Sequence, residues 1–524
     1  PAPYYFSSRL KAMYLENTDF ALFDFSRDEE IVIEVNASAV AGAFILGESP
    51  LDVIETYTGK HAGRMRRLPD WTGNGAVLGL QGGTEKIRGY VKDFKEADVP
   101  IAALWLQDWT GKRETDFGRR LQWNWEVSDK QYPGWYDLIR ELAGEQIYVL
   151  SYINAYLANT GGLSGESTTL FKLATELDCL VKETDNKTVQ IQASATPDFT
   201  FGTVDITNPR CQKWYIDEVI RKRMIGEKTT SFDEIHGVLG FMADFAESVS
   251  LGASFYAGEG SKVHNSFPEI WSNTCRRAIN ANGFTEENAV FFTRAAGGRS
   301  PGETTLMWMG DQMTTFDHFD GLRSALIGVL SAGVSGFSLA HSDVGGYTMF
   351  QRFGGLIAYL RSPELFLRWG EMNAFSDAMF RTHEGVLPDE SSQAFDEDLR
   401  HPFAKLAKVH RALFPLKREL MIQAEQTGAP LARAMFLEFP DDPKAWAVND
   451  QFLLGDSLLV CPVTEADAVS RSCYIPDGEW THVFTGERPK SQSVFTCAAP
   501  LGKPCVLYRA AAEPYAAAVR EILA

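Results

Sequence analysis

Eight short apolar runs, with amphipathic stretches between several of them, constrain this chain more than any other feature. They fall at residues 76–81, 101–107, 147–153, 238–244, 289–294, 306–311, 334–343 and 375–383. Residues 84–97 and 209–225 are examples of the amphipathic stretches. Strands that are apolar on both faces and alternate with helices predict a parallel sheet covered on both sides. Eight such units over about 350 residues predict an α/β chain of the (β/α)₈ barrel type, with insertions. A helical stretch at 403–426 closes the unit.

At 524 residues the chain is too long for one ordinary core, so smaller domains flank the large one. Residues 1–72 are β-rich, with runs at 21–25 and 31–35 and a helix-like segment at 51–57. Residues 73–428 hold the barrel. From 429 to 524, short alternating strands separated by turns such as Pro476-Asp-Gly478 and Thr485-Gly486 predict a small antiparallel β domain, ended by a helix at 514–523. The longest soft apolar run, 324–340, carries four serines and reads as a buried helix followed by a buried strand. The formal charge of −19 argues against nucleic acid and anionic membranes, since phosphate binding needs clustered Lys and Arg. Seven cysteines without CxxC or Cys/His zinc spacing read as buried thiols in a reducing, cytoplasmic compartment. No metal site, cofactor or membrane insertion is implied, and the composition is compatible with a homo-oligomer. The chain begins at Pro1 and shows no signal peptide.

Chemistry in a parallel barrel sits where strands pass into loops. Gly237-Val-Leu-Gly-Phe-Met-Ala-Asp244 and Leu306-Met-Trp-Met-Gly-Asp311 are both apolar runs ending in a carboxylate. One such Asp is ordinarily a helix N-cap; two in this pattern favour catalysis, and a carboxyl pair is what glycosidic bond cleavage needs. After the second run, Lys112, Arg113, Arg119 and Arg120 fall within nine positions, interleaved with indoles. Such a run is either a solvated loop or a site for planar anion capture. His341-Ser-Asp343-Val-Gly-Gly-Tyr347 and Arg381-Thr-His383-Glu-Gly385 end the last two runs as polar pocket candidates. No G-x-S-x-G nucleophile elbow and no phosphate loop is present.

Together these motifs resemble family 31 of the glycoside hydrolases, retaining α-glycosidases on a (β/α)₈ barrel, and within it the sulfoquinovosidases. The pieces are Leu80-Gln-Gly-Gly-Thr84, Trp105-Leu-Gln-Asp-Trp109, Phe117-Gly-Arg-Arg-Leu-Gln-Trp-Asn-Trp125, Met242-Ala-Asp-Phe245, Trp308-Met-Gly-Asp-Gln312 and the two pocket motifs above. The resemblance implies Asp244 as nucleophile and Asp311 as acid/base. It places Gln81, Gln107, Arg120, Trp123 and Tyr347 on a sulfosugar signature, and Arg294, Asp343 and His383 on sugar hydroxyls. The implied partner is a small sulfonated sugar glycoside. α-Glucosidases of the family carry Asp at the position of Gln107, where a carboxylate would repel a sulfonate. Two departures stand out: only about 70 residues precede the barrel, a remnant of the family's N-terminal β-sandwich, and Ala246 stands where Gly is usual. The rival readings are an ordinary α-glucosidase or α-xylosidase, an inactive carbohydrate-binding protein, and a lyase working on the same glycosyl intermediate.

Overall fold

The computed structural model describes residues 2–27, 30–115, 118–159, 168–194, 196–226, 237–284, 288–352, 355 and 357–524. Phe117 of the motif quoted above lies outside them.

Seven parallel strands form the central sheet in the spatial order of the chain: Ala76–Gly79, Ile101–Trp105, Tyr148–Ile153, Gly240–Ala243, Val290–Thr293, Leu306–Trp308 and Ala340–His341. The eighth position is held by two parallel bridges, Val77 to Arg381 and Val344 to Thr382. The Val77 N–H donates to the Phe380 carbonyl and the Thr382 N–H to the Val77 carbonyl, which closes the ring. Nearly every strand residue is buried, because helices cover the outer face and side chains fill the inner one.

All the strands are shorter than the apolar runs that announced them, and three keep half of the run or less. The run at 334–343 opens at the last residue of the helix Leu322–Val334 and turns through Ser335 and Gly336 before Ala340–His341 pairs. The run at 375–383 begins inside the helix Pro363–Ser376. The run at 306–311 leaves the sheet after Trp308. A fully buried helix end and a fully buried strand are both continuously apolar, so periodicity does not separate them.

The helix Glu397–Thr427 carries Pro402 and Pro415 inside it and stops at Gly428, whose φ of 77° is the left-handed cap that glycine takes without strain. Before the barrel, Tyr4–Ser7, Lys11–Leu15 and Gly42–Leu46 form one antiparallel sheet, and Ala21–Asp24 with Val32–Val35 another. After it, Ala432–Arg433, Phe452–Leu454, Leu458–Cys461, Cys505–Tyr508 and Thr481–His482 make a five-stranded antiparallel sheet. A ribbon of Ser470–Ile475 and Ser493–Ala498 shares its apolar core with that sheet.

The cysteines correct one expectation. Cys179 and Cys211 form a disulfide, their α-carbons 5.3 Å apart, so not all seven are thiols. The pair is separated by 32 residues, a spacing with no signature, and only the fold brings it together. The bridge also removes the argument for a reducing compartment from uniformly free thiols. Among the described residues no helix is long and apolar enough to cross a membrane.

Candidate active site

At the carboxyl ends of the barrel strands lies a pocket of about 340 Å³. Gln81, Gln107, Arg120, Trp123, Asp244, Arg294, Asp311, Tyr347 and His383 all line it, so nine of the ten expected site residues converge there. Asp343 stands one layer behind. It is fully buried, paired with Arg381, and it accepts a hydrogen bond from the Trp308 indole at 3.1 Å.

The strand Gly240–Ala243 delivers Asp244, whose N–H makes the last ladder bond, to the Ile153 carbonyl at 2.9 Å. Phe245 and Ala246 then take φ of 58° and 86° and swing the chain out of the sheet. That left-handed geometry strains any residue with a Cβ, which is the physical meaning of the Ala where Gly is usual. The Tyr152 hydroxyl donates to Asp244 Oδ2 at 2.6 Å. Asp311 is reached from Leu306–Trp308 through Gly310, at φ 87°. Arg294 stands between the two carboxylates. One of its nitrogens is 3.3 Å from Asp244 Oδ1 and 3.0 Å from Asp311 Oδ2, while Glu247 takes the other edge of the guanidinium and Phe245 lies under it at 4.3 Å.

This arrangement separates the two acids. Desolvation and the charge of Asp244 push the Asp311 carboxyl up to about 7, against the pull of Arg294. Its side chain lines the pocket and keeps 40 % of its surface open to solvent there. Burial works against the charge on Arg294, but Asp244, Asp311 and Glu247 outweigh it and hold the guanidinium charged.

The cationic run folds as a hairpin over the pocket. Lys112–Thr115 pairs with Gly118–Leu121, and the register sets Arg113 directly opposite Arg120. Directly opposed residues share a face, and like charges so placed repel. Arg120 donates to the Tyr347 hydroxyl at 3.1 Å, and Tyr347 packs on His383 with ring centres 4.5 Å apart. Arg113 lies over the Phe199 ring at 3.6 Å, and its Nη1 is buried with no partner. Burial, then the charge of Arg120, bring its guanidinium down to about 10. Trp123 is packed among Tyr156, Phe199, Phe201 and Phe245 and forms the adjoining wall. His383 is kept neutral by burial and by Arg381 and Arg361; its Nδ1 accepts the Gly385 N–H at 2.9 Å, which leaves the proton on Nε2.

Sequence reasoning missed Tyr152 and Glu247 as members of this site and named Arg113 only as one of four cations in the run. Tyr152 is an apolar-run residue until Asp244 is placed beside it, and the side on which Arg113 falls depends on the hairpin register.

A model of the TIM-barrel domain of glycosyl hydrolases family 31 matches residues 69–419, and one of that family's C-terminal domain matches residues 428–512. A sulfoquinovosidase of Agrobacterium fabrum is 36% identical over 513 residues, covering 97% of this chain and 73% of that protein. One from Escherichia coli is 34% identical over 517 residues, covering 98% and 72%. Among solved structures, a family 31 sulfoquinovosidase from E. rectale, in complex with an aza-sugar inhibitor, superposes with a TM-score of 0.91 at 32% identity over 99% of this chain and 74% of that one.

Proposed function

Because this chain belongs to glycosyl hydrolase family 31, we propose that it hydrolyses α-glycosides of sulfoquinovose, 6-deoxy-6-sulfo-glucose, as an exo-acting and retaining enzyme. Asp244 attacks the anomeric carbon while Asp311 gives its proton to the departing glycosidic oxygen, leaving a glycosyl ester on Asp244. Asp311, now a carboxylate, takes a proton from water as the water oxygen attacks the same carbon, and Asp244 leaves. The protonated form that Asp311 needs for the first step is the one favoured by its burial and by Asp244. Tyr152 and Arg294 hold Asp244 in place through contacts to its two oxygens. The shared Arg294 nitrogen gathers one oxygen of each carboxyl group at one point, and the retaining mechanism requires the two groups about 5–5.5 Å apart.

One observation carries the sulfonated substrate: Arg113 and Arg120 face each other across the hairpin at the pocket wall. Two guanidiniums on one face, one with a buried N–H unspent, are an unfavourable arrangement around a neutral hydroxyl. A sulfonate, always ionised and carrying three acceptor oxygens, reverses the sign of that interaction. Gln107, in place of a carboxylate, adds no repulsion. The comparison with two sulfoquinovosidases and one solved relative points the same way.

Side-by-side assays on an aryl α-sulfoquinovoside and an aryl α-glucoside test this. Wild type should strongly prefer the sulfosugar. Arg120→Leu leaves the sulfonate under-paired, at a cost of roughly 2–5 kcal/mol by analogy with buried charge pairs. It should lower kcat/KM on the sulfosugar by about two to three powers of ten, with no parallel loss on the glucoside. Preference of the wild type for the glucoside, or an indifferent Arg120→Leu, would return the chain to the ordinary α-glucosidase reading.

A further inference from the structure

Away from the pocket, four of the five free cysteines converge in the core of the C-terminal β domain. Cys461 and Cys505 are cross-strand partners in the five-stranded sheet, while Cys473 and Cys497 come from the facing ribbon. All four are buried. The sulfurs of Cys461, Cys473 and Cys505 lie within 4.8 Å of one another, and Cys497 and His482 form a second group of that size, which shares only Cys505 with the first. Thiols packed merely as small hydrophobes have no reason to meet at one point from two sheets. Tetrahedral thiolates at a zinc–sulfur distance of about 2.3 Å stand about 3.8 Å apart; Cys473 and Cys505 stand 3.9 Å apart.

We propose that this cluster binds one zinc ion through the thiolates of Cys461, Cys473 and Cys505, with Cys497 drawn in from the Cys505 side as the fourth ligand, tying the ribbon to the five-stranded sheet. A closed four-sulfur set with no open position is a structural and not a catalytic site. His482 completes it without being a ligand. Its Nδ1 accepts the Thr485 N–H at 3.3 Å, so the proton sits on Nε2, which is buried and has no other partner. It stands beside Cys497 and Cys505, where a thiolate held by the metal would accept that N–H, as groups around metal ligands do. Four thiolates around Zn²⁺ carry a net double negative charge. Arg471, the cross-strand partner of Cys497, offsets part of it, although its guanidinium also reaches Asp450 at 2.8 Å. The linear spacing hides the site because the ligands lie on four different strands, and pairing alone brings them together.

The test uses the full chain and does not depend on the sugar chemistry. Metal analysis of protein purified without chelator should find about one zinc per chain. After a strong chelator removes it, Co²⁺ should restore one equivalent and give the sulfur-to-metal charge-transfer absorption of tetrahedral cobalt thiolate. Cys505→Ser, at the centre, should lose at least about nine-tenths of the bound metal; if that variant does not fold, Cys497→Ser and the wild-type cobalt spectrum decide the matter. Wild type with less than about a tenth of an equivalent of zinc and no cobalt spectrum overturns the proposal. An intact mass showing any two of these four thiols joined as a disulfide overturns it as well.

Discussion

At the scale of single residues the molecule turns on Arg294. By touching both Asp244 and Asp311 it lets two carboxyl groups approach, while burial and the charge of Asp244 still raise Asp311 against its pull. The consequence is a pH dependence with a defined sign. In the proposed donor role Asp311 acts only when protonated, and its carboxyl is pushed up to about 7. On an alkyl glycoside, kcat/KM should therefore hold below about pH 7 and fall about tenfold per unit well above it. Asp311→Asn should erase that alkaline limb and spare aryl substrates in their first step, because a good leaving group needs little protonation. A profile on an alkyl glycoside that stays flat through about pH 8 would take Asp311 out of the donor role. Both aspartates were legible in the sequence because each ends an apolar run. Glu247 was also in plain view, two residues beyond Phe245, but its work is done on Arg294, from another strand. A side chain that acts through a partner far away in the chain leaves no local trace.

Among the elements, the barrel strands were readable from composition and the closing strand only poorly. Its pairing amounts to two bridges, and the polar Arg381, Thr382 and His383 interrupt its apolar character. The helix Glu397–Thr427 compensates from outside. Lys417, fully buried, donates to the carbonyls of Ala374 and Asp377 at 2.8 and 2.7 Å and to His410 Nδ1 at 3.0 Å, so the three protons of an ammonium meet three acceptors. The nearby Asp377 carboxylate accepts from the Ser342 N–H and the Ser376 hydroxyl. Burial disfavours both charges, lowering Lys417 and raising Asp377, and each supports the other. Lys417→Met strands the carboxylate and should cost about 3–5 kcal/mol, read as a lower urea midpoint. Asp377→Asn in the same chain should recover part of it. An unchanged midpoint in the single variant would show that the helix is not held through this lysine.

For the whole molecule, charge and connectivity matter most. The chain carries a formal charge of −19, while its pocket presents Arg113, Arg120 and Arg294. An anionic substrate thus meets long-range repulsion before short-range capture. Raising ionic strength from about 10 to 150 mM shortens the reach of that repulsion and should lower KM for the sulfosugar about twofold, with no change for a neutral glucoside. A KM that rises with salt would assign the long-range field to the pocket cations. The connectivity has a different outcome, which concerns time. Arg67 binds Glu425 through both its main-chain N–H and its guanidinium, across 358 residues, and Val77 pairs with Arg381. At about 5–20 residues per second, roughly 20–70 s separate the synthesis of Arg67 from that of Glu425. The first barrel strand therefore spends most of translation as an uncovered edge on the ribosome, and the interval in which it most needs shielding is set by the rate of elongation.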